Sequence, residues 1–196
     1  MSANGVACLA LDAMGVVFRA ADDVAELLIP FVRSHGGVED AGAIRSAYLE
    51  ASLGAITADE YWRKVGLRPS LEDDYLSGHA LTPGAREMLM LANDRDLPVW
   101  LLSNDVERWS RALRAAFAIE RWLSGSVISS DAGARKPDVA IYRCFLRRSG
   151  YAAERVLFVD DRDKNVGAAR AIGIRSLRFD TDTGFVGLTE HLRGET

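Results

Sequence analysis

Short apolar runs alternate with helical patterns over most of the chain, and this alternation predicts an α/β protein. The first run, residues 6–11, is followed directly by Asp12 and then by Gly15, where the backbone can turn sharply. Four later runs of similar length also predict buried strands, at 97–102, 127–130, 156–159 and 175–179. Strands that alternate with helices imply a doubly wound parallel sheet with right-handed crossovers.

Residues 20–80 interrupt this alternation, because they contain helical patterns and no convincing strand. Capping boxes at Asp23 with Glu26 and at Thr57 with Glu60 predict two of the helix starts. Since the segment follows the first strand, we expect a helical-bundle cap at 20–80, inserted into a core formed by residues 1–19 and 81–196.

Length and composition fit a globular domain with an inserted subdomain: 196 residues, 48% hydrophobic and 27% charged. The net charge of −4 and the absence of a basic run predict no nucleic-acid partner. The sequence has no long apolar stretch to span a membrane and no pattern of a secretory signal, so we expect a cytoplasmic protein. Cys8 and Cys144 are predicted to be buried small apolar residues.

Polar side chains follow three of the predicted strands, at the point where each strand ends. They are Asp12 after the first, Ser103 and Asn104 after the second, and Asp160 with Asp161 after the fourth. The carboxyl ends of parallel strands meet at one edge of a sheet, where α/β proteins bind ligands. Neighbouring carboxylates repel each other, and a divalent cation such as Mg²⁺ relieves that repulsion.

A cation and an anion-binding group complete this predicted site. Lys136 precedes a helix start at Pro137 and can reach the same edge, while Ser103 and the helix behind it offer donors to an anion. A carboxylate nucleophile among such groups suits phosphoryl transfer. Each residue alone also has a structural explanation: Ser103 at a helix start, Asn104 as the cap of the helix with Glu107, and Lys136 as a solvated side chain.

The segments LDAMGVV, LLSN, ARKPD and FVDDRDKNVGAARAIGI together resemble the haloacid dehalogenase-like hydrolase superfamily, over nearly the whole chain. The resemblance implies a Rossmann-like core that carries the site, a small cap that closes over it, and Mg²⁺ as cofactor. It also implies a role for each residue that matches a motif. Asp12 would be the nucleophile and a metal ligand, and the Met14 backbone carbonyl, Asp160 and Asp161 would be further ligands.

The same resemblance assigns the groups that hold the substrate. Ser103 and Lys136 would hold the transferring phosphoryl group, and Lys136 would also neutralise Asp12. Asn104 would support substrate binding, and Asn165 would have a mainly structural role.

The chain departs from the family's phosphatases two residues after the nucleophile. Those enzymes have a second aspartate there, which protonates the leaving alkoxide and then activates water, whereas this chain has Met14. A thioether cannot transfer protons at neutral pH. Loss of a general acid typically lowers rates ~10²–10⁴-fold, most of all for poor leaving groups.

Three hypotheses follow from this departure. The protein could be a Mg²⁺-dependent phosphatase of a small phosphorylated metabolite, in which good leaving groups, water or a cap residue compensate for Met14. It could be a metal-independent 2-haloacid dehalogenase with Arg45 as ligand of the substrate carboxylate, although the paired acids argue against this. It could also be a binding or regulatory module without catalysis. A cap of this size can dimerise, so a homodimer is a further hypothesis.

Overall fold

The computed structural model of the protein describes residues 5–181 and 183–193, with side chains as far as residue 190. The remaining residues of the predicted core, 1–4, 182 and 194–196, lie outside the described residues. Five strands form one sheet: β1 (Cys8–Leu11), β2 (Val99–Ser103), β3 (Gly125–Ile128), β4 (Val156–Asp160) and β5 (Arg175–Arg178). Their order is β3-β2-β1-β4-β5 and every neighbouring pair is parallel, which confirms the predicted fold class.

Ten α-helices accompany the sheet in the described part of the chain. Four lie between Arg19 and Ala80: α1 (Ile29–Ser34), α2 (Ala41–Ser52), α3 (Ala58–Lys64) and α4 (Glu72–Ser77). The others are α5 (Ala85–Asn93), α6 (Glu107–Ala116), α7 (Ser129–Ala132), α8 (Val139–Ser149), α9 (Asp163–Ala171) and α10 (Val186–Arg193). None of the helices described is both long and apolar enough to cross a bilayer.

Strand boundaries differ from the predicted ones by up to two residues. The largest difference is at β3, which ends at Ile128, because Ser129 and Ser130 begin the short helix α7 instead of extending the strand. The central strands β1 and β4 are fully buried, as expected for strands that helices cover on both faces. Cys8 and Cys144 are both free and buried, as predicted.

The described residues between Arg19 and Ala80 form helices and no strand. The chain leaves and re-enters the sheet region at one place, where the Arg19 amide donates to the Ala80 carbonyl at 2.9 Å. The predicted capping box of α3 is confirmed: the Glu60 amide donates to Thr57 Oγ1 at 3.2 Å, and the Glu60 carboxylate accepts from the Thr57 amide at 2.7 Å. The division of the chain at 19/20 and 80/81 into core and cap remains a prediction.

The predicted capping box at Asp23 is wrong by one residue. Asp22 caps the helical turn Val24–Leu28, which runs into α1: Asp22 Oδ1 accepts from the Ala25 amide at 3.0 Å, and Glu26 Oε1 accepts from the Asp22 amide at 2.8 Å. The backbone of Asp23 is already helical (φ −53°, ψ −31°), whereas a capping residue needs an extended backbone. The Asp23 side chain is therefore free to point elsewhere, and it is buried.

An aromatic cluster fastens the inserted helices to the sheet region. Trp109 of α6 lies 5.2–6.2 Å, between ring centroids, from aromatic rings of the insertion: Tyr48, Tyr61, Trp62 and Tyr75. Glu72 joins the two parts, because it accepts from the indole N–H groups of both Trp62 (2.9 Å) and Trp109 (2.6 Å). Buried aromatic contacts of this kind are worth about 0.5–1.5 kcal/mol per pair beyond area burial, so the insertion is held firmly over the strand ends.

Candidate active site

Lys136 lies between two buried carboxylates at the carboxyl edge of the sheet. Its Nζ is 2.7 Å from Asp12 Oδ1 and 2.8 Å from Asp160 Oδ2. Asp12 directly follows β1, and Asp160 is the last residue of β4, so the pairing of these central strands places both acids side by side. All three side chains are at least nine-tenths buried, and buried charges persist only when they are paired in this way.

One lysine cannot balance both carboxylates. Burial alone would lower the pKa of Lys136, but Asp12 and Asp160 raise it above its ordinary value. Burial alone would raise the pKa of Asp160, but Lys136 and further hydrogen bonds hold it below the ordinary value. For Asp12 burial dominates and raises the pKa well above the ordinary value, despite Lys136. A second cation beside Asp12 would therefore stabilise the ionised site.

The acids are placed to hold such a cation. Asp12, Asp160 and Asp161 each offer a carboxylate oxygen, and these oxygens lie within 4.8 Å of one another. Asp161 Oδ1 is buried and has no hydrogen-bond partner. Carboxylate oxygens are the hard ligands that Mg²⁺ takes in proteins, so the residues present fit this ion. Met14 follows Asp12 and lines the adjoining cavity, and its carbonyl as a ligand remains a prediction.

Gly15 makes room for the Asp161 carboxylate. Its backbone is left-handed (φ 79°), and a Cβ atom at this position would lie 2.5 Å from Asp161 Oδ2. Any other residue would therefore meet both a strained backbone and a clash with a candidate metal ligand.

Two asparagines hold the charged residues in position. Asn104 accepts from the Lys136 amide at 2.7 Å and donates to the Lys136 carbonyl at 2.9 Å. Asn165 Nδ2 donates to both carboxylate oxygens of Asp160, at 2.9 and 3.0 Å. The structural role predicted for Asn165 agrees with these bonds, and the substrate-binding role predicted for Asn104 remains a prediction.

Asn104 does not cap α6, contrary to the sequence-based expectation, because its side chain is engaged with Lys136. Other side chains satisfy the first amides of α6. Asp105 Oδ1 accepts from the Val106 amide at 2.7 Å, and Ser130 Oγ accepts from the Glu107 amide at 2.7 Å.

A cavity of about 270 Å³ opens beside these groups. On the sheet side it is lined by predicted site residues: Asp12, Met14, Ser103, Asn104 and Asn165. The Ser103 hydroxyl is buried and has no hydrogen-bond partner, so it is available to an anionic ligand. Lys136 and Asp160 are not among the residues that line the cavity. Lys136 contacts both Asp12 and Asp160, so the two residues influence the charge at the cavity through Asp12.

The cavity is also lined by residues that sequence reasoning missed or gave little weight: Asp22, Asp23, Arg45, Tyr48, Arg135 and Arg162. Arg45 pairs with Asp22 at 3.3 Å and is half-exposed. The sequence contains one usable signal for Asp23. Asp22 and Asp23 both precede the helix. Because only one of them can cap it, the side chain of the other must have a different environment.

Comparison with known proteins matches most of the chain to one family. The family model "haloacid dehalogenase-like hydrolase" matches residues 13–173. A phosphoglycolate phosphatase from Pseudomonas fluorescens is 30% identical over 104 residues, which are 52% of this chain and 38% of that protein. The sesquiterpene phosphatase astK of Aspergillus oryzae is 25% identical over 160 residues, 76% of this chain and 82% of its own. Thus the chain spans well under half of the first relative and most of the second.

Solved structures share the fold. A HAD family enzyme from Bacteroides thetaiotaomicron, in complex with magnesium and inorganic phosphate, is 20% identical with a TM-score of 0.78, and covers 93% of this chain and 98% of its own. L-2-haloacid dehalogenase from Xanthobacter autotrophicus, with chloropropionic acid covalently bound, is 20% identical with a TM-score of 0.63, and covers 97% and 84%. Since the family model spans most of the sequence, this chain belongs to the haloacid dehalogenase-like hydrolase family.

Proposed function

We propose that the protein is a Mg²⁺-dependent phosphatase that acts on a small phosphorylated metabolite through an aspartyl-phosphate at Asp12. The observation that carries this proposal is the arrangement of Asp12, Asp160 and Asp161, whose oxygens lie within 4.8 Å of one another beside the buried Lys136. Three acids and one lysine leave excess negative charge, which a divalent cation would balance.

In this proposal each side chain has a defined task, and Asp12 has two. Asp12 attacks phosphorus with a carboxylate oxygen, and Lys136 together with the metal ion would stabilise the ionised form of that carboxylate. Ser103 donates its unpartnered hydroxyl to a phosphoryl oxygen. Asp12, Asp160, Asp161 and the Met14 carbonyl would hold Mg²⁺, which when bound neutralises charge on the phosphoryl oxygens.

The relatives support phosphoryl chemistry. Two curated relatives are named phosphatases, and a structural neighbour was crystallised with magnesium and inorganic phosphate. The cavity of about 270 Å³ lies just below the range of about 300–1,000 Å³ that is usual for ligand pockets, which favours a small substrate.

The dehalogenase hypothesis has two observations in its favour. Arg45 lines the cavity, where it could bind a substrate carboxylate. The lack of a general acid at Met14 would not slow such a reaction, because a halide leaves without a proton. Against it, Arg45 already pairs with Asp22. A dehalogenase that works without metal would also have no use for the unpartnered oxygen of Asp161.

Phosphate release from 4-nitrophenyl phosphate and a panel of phosphorylated metabolites tests the proposal, with Mg²⁺ and with a chelator. We expect turnover with Mg²⁺ only, and its loss to background in Asp12→Asn, because an amide is a poor nucleophile. The matched control is Asp73→Asn, the same change at an exposed acid of α4. Chloride release from 2-chloropropionate in the presence of chelator would instead support the dehalogenase.

A further inference from the structure

Asp23 is a buried carboxyl with an oxygen that makes no hydrogen bond. It lines the same cavity as Asp12 and Met14, but it comes from the inserted segment. Only 6% of the residue is exposed, it does not cap its helix, and its Oδ2 has no hydrogen-bond partner. Burying a polar atom without a partner is unfavourable, so the structure tolerates Asp23 at a cost. Such groups concentrate at functional sites.

The groups that face Asp23 come from both parts of the protein. They are Asp22 on its own segment, Tyr48, Tyr61 and Tyr75 of the insertion, Asp105 after β2, Arg135 before Lys136, and Arg162 after β4. Burial is the main cause that raises the pKa of Asp23 to about 6, and the charge of Asp22 is the second. Both protonation states are therefore populated near neutral pH, as proton transfer requires.

We propose that Asp23 is the general acid and base of this site and takes the role that Met14 cannot perform. This proposal rests on the proposed phosphatase function, and it names the residue of the insertion that handles the proton. A phosphate bound at Ser103 and Asp12 would have its leaving group in this small cavity, and Asp23 lines the same cavity from the inserted segment.

The two steps balance with Asp23 as the only proton carrier. In the first, an Asp12 oxygen forms a bond to phosphorus, the bond from phosphorus to the leaving oxygen breaks, and that oxygen takes the Asp23 proton. In the second, the Asp23 carboxylate takes a proton from water. The water oxygen bonds to phosphorus, the bond from phosphorus to Asp12 breaks, and inorganic phosphate is released with Asp23 protonated again.

Leaving-group dependence separates a proton donor from a residue that only shapes the cavity. The probes are phenyl phosphate, whose phenoxide needs a proton to leave, and 2,4-dinitrophenyl phosphate, whose phenoxide does not. With Mg²⁺ present, we expect Asp23→Asn to lower kcat/KM for phenyl phosphate ~10²–10³-fold and for the dinitrophenyl ester less than about tenfold. Asp73→Asn, an exposed acid of α4, is the matched control.

A rescue variant provides the second readout. Met14→Asp in the Asp23→Asn background places a carboxyl two residues after Asp12, and we expect it to restore phenyl phosphate turnover at least tenfold. If Asp23 only bound substrate or supported the fold, Met14→Asp would raise turnover by the same factor in the wild type and in Asp23→Asn. If Asp23 is the proton donor, the factor is larger in Asp23→Asn. In the wild type, kcat/KM for phenyl phosphate should fall as pH rises through about 6, since Asp23 must hold its proton in the first step, and the dinitrophenyl ester should lack this decline.

Each other outcome overturns the inference. Equal losses for both esters, no loss for either, or no rescue would exclude Asp23 as the proton donor while leaving the phosphatase proposal intact. Absence of Mg²⁺-dependent turnover of the dinitrophenyl ester by the wild type would overturn both proposals. If Asp23→Asn does not fold, the wild-type pH profiles of kcat/KM for the two esters provide the test. Identical profiles for phenyl phosphate and 2,4-dinitrophenyl phosphate would count against the inference.

Discussion

The burial of Asp23 should be visible in the stability of the protein, without any substrate. Its pKa is raised from the ordinary value of 3.8 to about 6 by burial and then by Asp22. A native carboxyl with a raised pKa binds its proton more tightly than the unfolded chain does. Its contribution to stability is therefore complete below the unfolded pKa and is lost as pH rises through the native pKa.

The size of this effect follows from the shift. At about 1.36 kcal/mol per pH unit, the rise of this pKa from 3.8 to about 6 corresponds to a destabilisation of about 3 kcal/mol at pH 8. Because the unfolded carboxyl is already partly ionised at pH 4.5, about 2 kcal/mol of this loss appears between pH 4.5 and pH 8. Asp23→Asn removes the titration, so the variant should gain about 2 kcal/mol relative to the wild type over that interval.

Urea unfolding of both proteins at a series of pH values, with a chelator present, measures this difference. A constant offset from the asparagine amide cancels, since only the change with pH is compared. The matched control is Asp73→Asn, the same change at an exposed acid of α4. Asp22→Asn is not a control, because the charge of Asp22 contributes to the raised pKa of Asp23. Parallel curves for wild type and Asp23→Asn would refute the reasoning.

Three further variants test other parts of the site. Lys136→Met leaves two buried carboxylates without their cation, so we expect a loss of about 3–5 kcal/mol in urea unfolding, partly restored by Mg²⁺. Ser103→Ala removes a buried hydroxyl that has no partner, so thermal stability should not fall, while kcat/KM for phosphate esters should drop about 10–100-fold from one lost charged hydrogen bond. Gly15→Ala combines a left-handed backbone, worth about 1–2 kcal/mol, with a clash at Asp161, so it should lower the Tm. We expect Mg²⁺ to raise the Tm of the wild type but not that of Gly15→Ala, and an equal rise in both would count against Asp161 as a ligand.

The sheet and the charged edge could be predicted from the sequence because their signals are local. An apolar run bounded by a carboxylate identifies a buried strand and, at the same time, the residue at its carboxyl end. Asp12 and Asp160 are predicted in this way, and the structure brings them to a common lysine. The parallel pairing of β1 with β4 aligns the ends of the two strands and so places the two acids next to each other.

The residues that the inserted segment contributes to the cavity could not be predicted, because their positions depend on helix starts and on packing between distant segments. Because Asp22 and not Asp23 caps the helix, the Asp23 side chain is buried in the interior instead of bonding to the helix end. Asn104 faces a similar choice: the same amide could cap α6, but it bonds to Lys136, 32 positions further along the chain. Neither choice leaves a periodic pattern in the sequence.

The docking of the inserted helices decides whether Asp23 can act as a proton donor at all. A general acid must lie within hydrogen-bond reach of the leaving oxygen, so it has to be carried by an element of fixed position. The insertion meets this condition, because Glu72 accepts from indole groups on both sides of the boundary and Trp109 packs against four of its aromatic rings. Trp109→Ala should therefore lower turnover of phenyl phosphate more than turnover of 2,4-dinitrophenyl phosphate, although Trp109 does not line the cavity. Equal losses for the two esters would mean that the aromatic cluster supports the fold and not the position of the acid.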